Sequence, residues 1–184
     1  QGYVRRCHGD LHLANIVLIE GRPVLFDAIE FDPAIASVDV LYDLAFPMMD
    51  FIRYGRHAAA NTLLNRYLAV AASENLDALA TLPLFMSMRS AIRALVLLAR
   101  LDRDNHDKAG ALQSARAYFE LARQTIHPPA PMLVAIGGLS GTGKSDLARA
   151  LDPDIAPLPG AVVLRSDVLR KQLFKVNETD RLPE

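Results

Sequence analysis

Gly138-Leu139-Ser140-Gly141-Thr142-Gly143-Lys144-Ser145 satisfies the spacing G-x-x-x-x-G-K-[ST] and follows the apolar run Met132-Leu133-Val134-Ala135-Ile136. A strand, expected here over 132–137, that runs into a glycine-rich turn and then a helix is the arrangement that cradles the phosphates of a nucleoside triphosphate. Glycines at 138, 141 and 143 admit positive φ and expose successive N–H groups, while the helix that follows adds its positive N-terminal end. The expected cradle comprises Gly138, Ser140, Gly141, Thr142 and Gly143. Lys144 supplies a mobile cation for the β- and γ-phosphates, and the Ser145 hydroxyl is placed to ligate Mg²⁺. The less specific alternative is a glycine-rich strand-to-helix turn carrying Lys-Ser by chance.

Downstream, the pattern predicts a helix over 144–151, a Pro-rich loop (Pro153, Pro157, Pro159), a strand over 161–164 and a helix over 168–174. Asp167 would then stand at the C-terminal end of the second strand, the edge at which open α/β sheets hold ligands. A phosphate loop followed by Ser166-Asp167-Val168-Leu169-Arg170-Lys171 resembles the small-molecule kinases grouped with zeta toxins, chloramphenicol phosphotransferase and gluconate kinase. The resemblance implies that Asp167 takes the proton of an acceptor hydroxyl and that Arg170 faces substrate or phosphate. The competing expectation is that Ser166 or Asp167 merely caps the helix.

Upstream, His127-Pro128-Pro129-Ala130-Pro131 terminates helix and favours extended, semi-rigid backbone, which predicts a linker at 128–131 between domains 1–127 and 132–184. From Val38 to about Thr125 apolar residues recur three and four apart, as in Val40, Leu44, Met48 and Phe51, so four or five helices are expected there. Breaks are expected near Gly55, Asn75, Pro83 and Asn105-His106-Asp107, and Pro47 should kink or split its helix. Met86, Met88 and the run 95–98 read as helix core. Arg89, Arg93, Arg100 and Arg103 lie near one stripe; they fit an anionic acceptor, but a solvated face is the default reading.

The remaining segment, 1–37, is short-stranded. Strands are expected over 3–7, 16–19 and 23–26, the last two joined by a turn at Glu20-Gly21-Arg22. Before them stands His8-Gly9-Asp10-Leu11-His12-Leu13-Ala14-Asn15, and after them Val24-Leu25-Phe26-Asp27. A kinase needs a carboxylate beside the acceptor hydroxyl and oxygen ligands for a phosphate-bridging Mg²⁺, and Asp10, Asn15 and Asp27 provide that set. The order of these motifs resembles the aminoglycoside phosphotransferase family, which shares the protein-kinase-like fold. The resemblance, over about residues 3–125, implies Asp10 as catalytic base, Asn15 and Asp27 as Mg²⁺ ligands, His8 as an orienting residue and Asp43 as a structural acceptor for the catalytic-loop backbone. Leu13-Ala14 stands where common members have Pro-Gly. The stretch Phe26-Asp27-Ala28-Ile29-Glu30-Phe31-Asp32 resembles a subgroup fused to a zeta-toxin-like ATPase; Glu30 is either a further metal ligand or a solvated loop acid.

Two alternatives concern the same residues. His8, Asp10 and His12 alternate and would share one face of a strand, a ligand set for a transition-metal hydrolase; or both histidines satisfy backbone carbonyls while Asp10 caps a turn. A third, for either half, is a nucleotide-binding sensor without turnover.

Hydrophobic residues make up 51% of the 184 and charged ones 22%, with a formal net charge of -1. That composition supports globular cores and gives no bulk field toward nucleic acid or an anionic membrane. The one cysteine, Cys7, cannot close an internal disulfide, and no signal peptide or long apolar run is evident, so a cytoplasmic setting is expected. The fold expected is an α+β protein-kinase-like C-terminal lobe followed by the start of a P-loop α/β domain. The chain reads as a fragment of a bifunctional ATP- and Mg²⁺-dependent phosphotransferase acting on a small-molecule hydroxyl. Without the N-terminal lobe it is expected to turn over negligibly, with residues 132–184 mobile unless they pack on the helical domain.

Overall fold

The computed structural model describes residues 3–71, 76–101, 108–177 and 180. Its α+β chain is mostly helical with two small two-stranded sheets. Strand β1 (Val4–Arg6) pairs antiparallel with β4 (Ser37–Asp39), Val4 opposite Asp39. Strands β2 (Ile16–Ile19) and β3 (Arg22–Leu25) form the expected hairpin, with Ile19 opposite Arg22 and the second strand one residue earlier than anticipated. Glu20 and Gly21 at its tip have φ of 51° and 75°, positive at both central positions as a two-residue type I′ turn requires. Val38 and Asp39, expected to open the helical region, belong to strand β4 instead because β1 offers them an edge. Asp39 ends that strand and caps the next helix, its carboxylate accepting from Leu41 N at 2.8 Å.

After a short turn of helix, α1 (Pro33–Ala36), come α2 (Val40–Arg53), α3 (His57–Val70), α4 (Leu82–Leu101) and α5 (Lys108–Ile126). Helix α2 is the axis of the core: Leu41, Ala45, Phe46, Met48, Met49 and Ile52 are all buried, with Leu64 of α3, Met86 of α4 and Tyr118 of α5 closing around them. Pro47 does not split α2, which runs continuously through it. The proline removes only the N–H that would have reached the Asp43 carbonyl, and its ring is buried with its neighbours. Gly55 follows the helix end at φ 70°, and Pro83 sits in the first turn of α4, where a missing N–H costs nothing. The breaks expected at Asn75 and at 105–107 lie outside the described residues, as does Arg103.

Helix α4 departs from expectation in two ways. Met86 is core, but Met88, Leu95, Val96 and Leu98 are exposed. Conversely Arg89, expected on a solvated face, is buried, Arg93 is half-buried and Arg100 is exposed. The stretch Asp77–Arg100 is long and apolar enough to cross a membrane by length and composition; in the fold it packs on α2 and α5 and buries Arg89 and Ser90 with Leu82, Met86 and Ala94.

Beyond α5 the Pro-rich stretch is non-helical, as read from sequence. Helices α6 (Lys144–Leu151) and α7 (Ser166–Leu173) form where expected, the second starting two residues earlier. The strands expected at 132–137 and 161–164 do not form among the described residues. Residues 161–163 have their backbone groups taken by side chains of α3: Asn61 and Asn65 donate to the Ala161 carbonyl at 2.9 and 3.0 Å, and Val163 N donates to Asn65 Oδ1 at 2.9 Å. Leu158 and Val162 pack against the helical core. Residues 152–163 thus pack on the helical body.

Candidate functional site

The loop His8–Asn15 connects β1 to β2, and its shape is set from below by two acids of α2. Asp43 accepts from the backbone N–H of His8 at 3.1 Å and of Gly9 at 2.9 Å. Asp50, two turns along the same helix face, accepts from Leu13 N at 2.9 Å and from the Tyr118 hydroxyl at 2.7 Å. Both carboxylates are buried, and each has its oxygens occupied by donors, as burial of a charge demands. Gly9 has φ 84°, and a Cβ there would lie 2.9 Å from Ile29 Cδ1, so the loop needs a residue without a side chain at this point. His8 ties the loop to the end of β3, its Nε2 lying 2.9 Å from the Phe26 carbonyl, while Ile29 N donates to the His8 carbonyl at 2.9 Å.

These ties bring Asp10 and Asp27 to one cavity of about 1010 Å³, which Glu30, Tyr42 and Arg89 also line. Asn15 stands one step behind: its Nδ2 donates to the Asp10 carbonyl at 2.9 Å and lies 3.4 Å from Asp10 Oδ2. Asp27 has φ 61°, an uncommon backbone for a residue other than glycine and one that clusters at functional positions. The donor set offered by Asp10 and Asp27, with the Asn15 amide behind them, is oxygen-rich and suits a hard divalent cation that keeps several waters. His12 Nε2 lies 3.4 Å from Asp10 Oδ2, and His8 Nε2 is engaged with Phe26, so the alternating His8, Asp10, His12 set does not converge. Among the described residues no group of three His, Cys, Asp or Glu side chains could hold a metal ion.

The second motif forms a separate place. Gly138, Gly141 and Gly143 all have positive φ, of 155°, 76° and 79°, and Gly143 precedes α6, whose first turn donates from Asp146 N and Leu147 N to the Gly143 carbonyl. Thr142 Oγ1 donates to the Leu139 carbonyl at 2.8 Å, and Lys144 Nζ folds back onto the same carbonyl at 2.5 Å. Ser140, Gly141, Lys144, Ser145 and Asp167 line one cavity of about 870 Å³, whose remaining wall is largely apolar, from Met132 to Val134 and from Val162 to Leu164. The sequence motifs at 138–145 and 166–167 are therefore neighbours in space. Asp167 is paired with Arg165 at 2.6 Å, and the hydrogen bond from that guanidinium holds its carboxyl below the usual range. The residue at the N-cap of α7 is Arg165 and makes no side-chain cap bond, whereas the Asp167 carboxylate in the first turn is also held down by the backbone N–H groups of Val168 and Asp167, in keeping with the alternative that it serves the helix start. Arg170 lies outside the lining of this cavity.

Four residues of consequence were not singled out from sequence. Asp50 had a legible signal, an acid seven residues after Asp43 on an otherwise apolar helix face. Tyr42, Asn61 and Asn65 had none, because their partners lie far along the chain.

The chain is similar to long mycobacterial proteins. Over 173 residues it is 31% identical to "Uncharacterized protein Rv2004c" of Mycobacterium tuberculosis (strain H37Rv), and equally to "Uncharacterized protein Mb2027c" of Mycobacterium bovis. Each match covers 94% of this chain and 33% of the relative, so the chain spans about a third of the length of the curated relatives it matches. No family model and no solved structure matches it.

Proposed function

We propose that the cavity around Asp10 belongs to an ATP- and Mg²⁺-dependent phosphotransferase acting on a hydroxyl of a small molecule, within a kinase-like C-terminal lobe, and that residues 132–184 belong to a P-loop nucleotide-binding module. The observation that carries the reading is the convergence of Asp10 and Asp27 on one cavity, with the Asn15 amide on Asp10 and the His8 and Gly9 N–H groups just before it pinned by Asp43. In this role Asp10 orients the acceptor hydroxyl and receives its proton as the new O–P bond forms and the bond between the γ-phosphorus and the β–γ bridging oxygen breaks, with ADP leaving. Asp27 and Asn15 would hold the cation, and the cation when bound neutralises charge on the transferred phosphoryl group. In the second cavity the glycine N–H groups and Lys144 would take phosphate, Ser145 a magnesium ion and Asp167 an acceptor.

The test is a metabolite mixture incubated with Mg²⁺–ATP and the longer protein containing this segment, read by mass spectrometry for a gain of one phosphoryl group. A product that forms with the native sequence and disappears in Asp10→Asn supports the reading. A product that is indifferent to Asp10→Asn excludes Asp10 from the chemistry.

A second reading, nucleotide binding without turnover in the 132–184 module, draws support from Lys144 and Asp167, each engaged with its own neighbourhood. ATP binding there without any phosphorylated product would favour it.

A further inference from the structure

We propose that the Asp10 cavity takes an acceptor that bears its own anionic group, a carboxylate or a phosphate, and that Arg89 binds it. The hydroxyl-phosphorylating role of this cavity rests on the reading above; the anion site stands on Arg89 itself.

Arg89 is only 8% exposed yet lines the cavity that holds Asp10 and Asp27. Burying a guanidinium costs several kcal/mol unless a counter-charge and hydrogen bonds compensate it. Among the described residues none of the ion pairs involves Arg89. Its protein hydrogen bond is a long one, Nη2 to the Gly9 carbonyl at 3.3 Å, and its Nε is buried with no partner. Burial lowers its proton affinity, and the carboxylates that oppose this, Asp43 and Asp10, act through space. Asp43 has both oxygens engaged by the loop N–H groups, so it is not a free counter-ion.

What the fold supplies instead is alignment. The guanidinium carbon lies 3.7 Å from the centroid of the Tyr42 ring and 3.4 Å from that of Phe46. Two rings of α2 thus fix the plane of the group and offset part of its desolvation. A planar fork of donors, immobilised and short of acceptors, matches the two oxygens of a carboxylate or phosphate. Asp27 and Glu30 line the same cavity, so a bound anion is favoured only at the Arg89 end, and an acceptor held there presents the rest of its length toward Asp10. An oxyanion of the nucleotide itself is the other source of the same chemistry, and the experiment separates the two.

The experiment follows the Gly9 and Ile29 amide resonances of the whole chain during titration with glycerate, glycerol 3-phosphate, inorganic phosphate, ATP and glycerol. These amides flank the cavity and do not report on the phosphate loop. Glycerate and glycerol 3-phosphate are expected to bind about tenfold or more tightly than glycerol, the scale of one charge-assisted bidentate contact. Arg89→Gln should abolish that preference and Arg89→Lys retain part of it. Glu30→Gln, at an exposed position, should tighten both anions a few-fold without disturbing the core, and it decides the matter if the Arg89 variants fail to fold. Equal affinity for glycerol and the two anions, a preference that survives Arg89→Gln, or no change in Glu30→Gln would overturn the proposal. Shifts with ATP or inorganic phosphate but with neither organic anion would assign Arg89 to the nucleotide and overturn it as an acceptor site. Asp10→Asn should keep the preference for the anions and, by the same loss of negative charge as Glu30→Gln, strengthen it while abolishing turnover, so loss of the phosphotransferase reading and loss of the anion site are separate results.

Discussion

Asn61 of α3 donates from Nδ2 to the carbonyl of Ala161, 100 residues further along the chain, at 2.9 Å. The side chain is 1% exposed, and the same amide lies 3.5 Å from the Asp152 carbonyl. Asn65, one turn on, closes the pattern with bonds to Ala161 and Val163. Two asparagines on one helix face thus do for residues 161–163 what a neighbouring strand would do in a ladder. Asn61→Leu removes a buried donor from the Ala161 carbonyl, which keeps Asn65 Nδ2, and takes from Asn65 its Asn61 Oδ1 partner, a loss of about 0.5–1.5 kcal/mol for each net hydrogen bond. Chemical denaturation should show that loss, with hydrogen exchange accelerating at Ala161 and Val163 before it does in α2. Unchanged protection there would mean that the asparagines are not what holds the segment.

Gly160 is the steric counterpart of that fastening. It has φ 116°, and a Cβ would lie 2.5 Å from both Asn61 Nδ2 and the Asp152 carbonyl. Neither neighbour is free to yield, because each takes part in the bonds just described. Gly160→Ala is expected to destabilise by more than the roughly 1 kcal/mol that an incompatible backbone conformation costs alone, and to do so less when Asn61 is already alanine. A double-mutant cycle reads the difference; strict additivity would place the clash elsewhere.

How far the sequence discloses this molecule follows from where each signal resides. The hairpin was legible because Gly21 and the short apolar runs on either side of it are local, and α2 to α5 were legible from periodicity along each helix. The placement of the Asp10 loop over α2 was anticipated through Asp43. Arg89 was misread because a charged residue on a helix is ordinarily solvated, and only the approach of Tyr42, Phe46 and Gly9 from other elements makes it a buried one. The strands expected at 132–137 and 161–164 fail for a similar reason: apolar β-branched runs propose strands, but pairing needs an edge, and α3 side chains occupy the groups at 161–163. The neighbourhood of Lys144 and Asp167 was legible because both stand at or beside the starts of helices that the sequence announces, α6 at the residue expected and α7 two residues before it.

The Tyr118 hydroxyl, donating to Asp50 at 2.7 Å, gives the fold a dependence on alkaline pH. Burial first, then the Asp50 charge and its hydrogen bond, raise the pKa of Tyr118 well above its ordinary value of 10.0. A group whose pKa is raised by folding contributes stability that is complete below the unfolded-state value and is lost as pH climbs from there toward the folded-state value. Urea midpoints should therefore hold steady up to about pH 10 and fall above it. Tyr67, also raised chiefly by burial, adds to the fall in the same direction. Tyr118→Phe should start about 1–3 kcal/mol less stable, since Asp50 loses a donor, and should show a shallower alkaline decline. An equal slope in both proteins would remove Tyr118 from the effect.

The two cavities share no lining residue, the first being built on Asp10 and Asp27 and the second on Lys144, Ser145 and Asp167. Their chemistry should accordingly be separable in the longer protein. Asp10→Ala is expected to lower phosphoryl transfer at the first cavity by about 10²- to 10⁴-fold, the usual cost of losing a general base. Nucleotide binding at the second should be unchanged. Lys144→Ala should weaken nucleotide binding at the second cavity, because the backbone cradle remains but its mobile cation is gone, and leave the first reaction at its original rate. Binding of a fluorescent ATP analogue and product formation, measured on both variants, read the two effects independently. If either substitution silences both readouts, the fastening through Asn61 and Asn65 transmits between the modules and the double variant Asn61→Ala, Asn65→Ala should uncouple them.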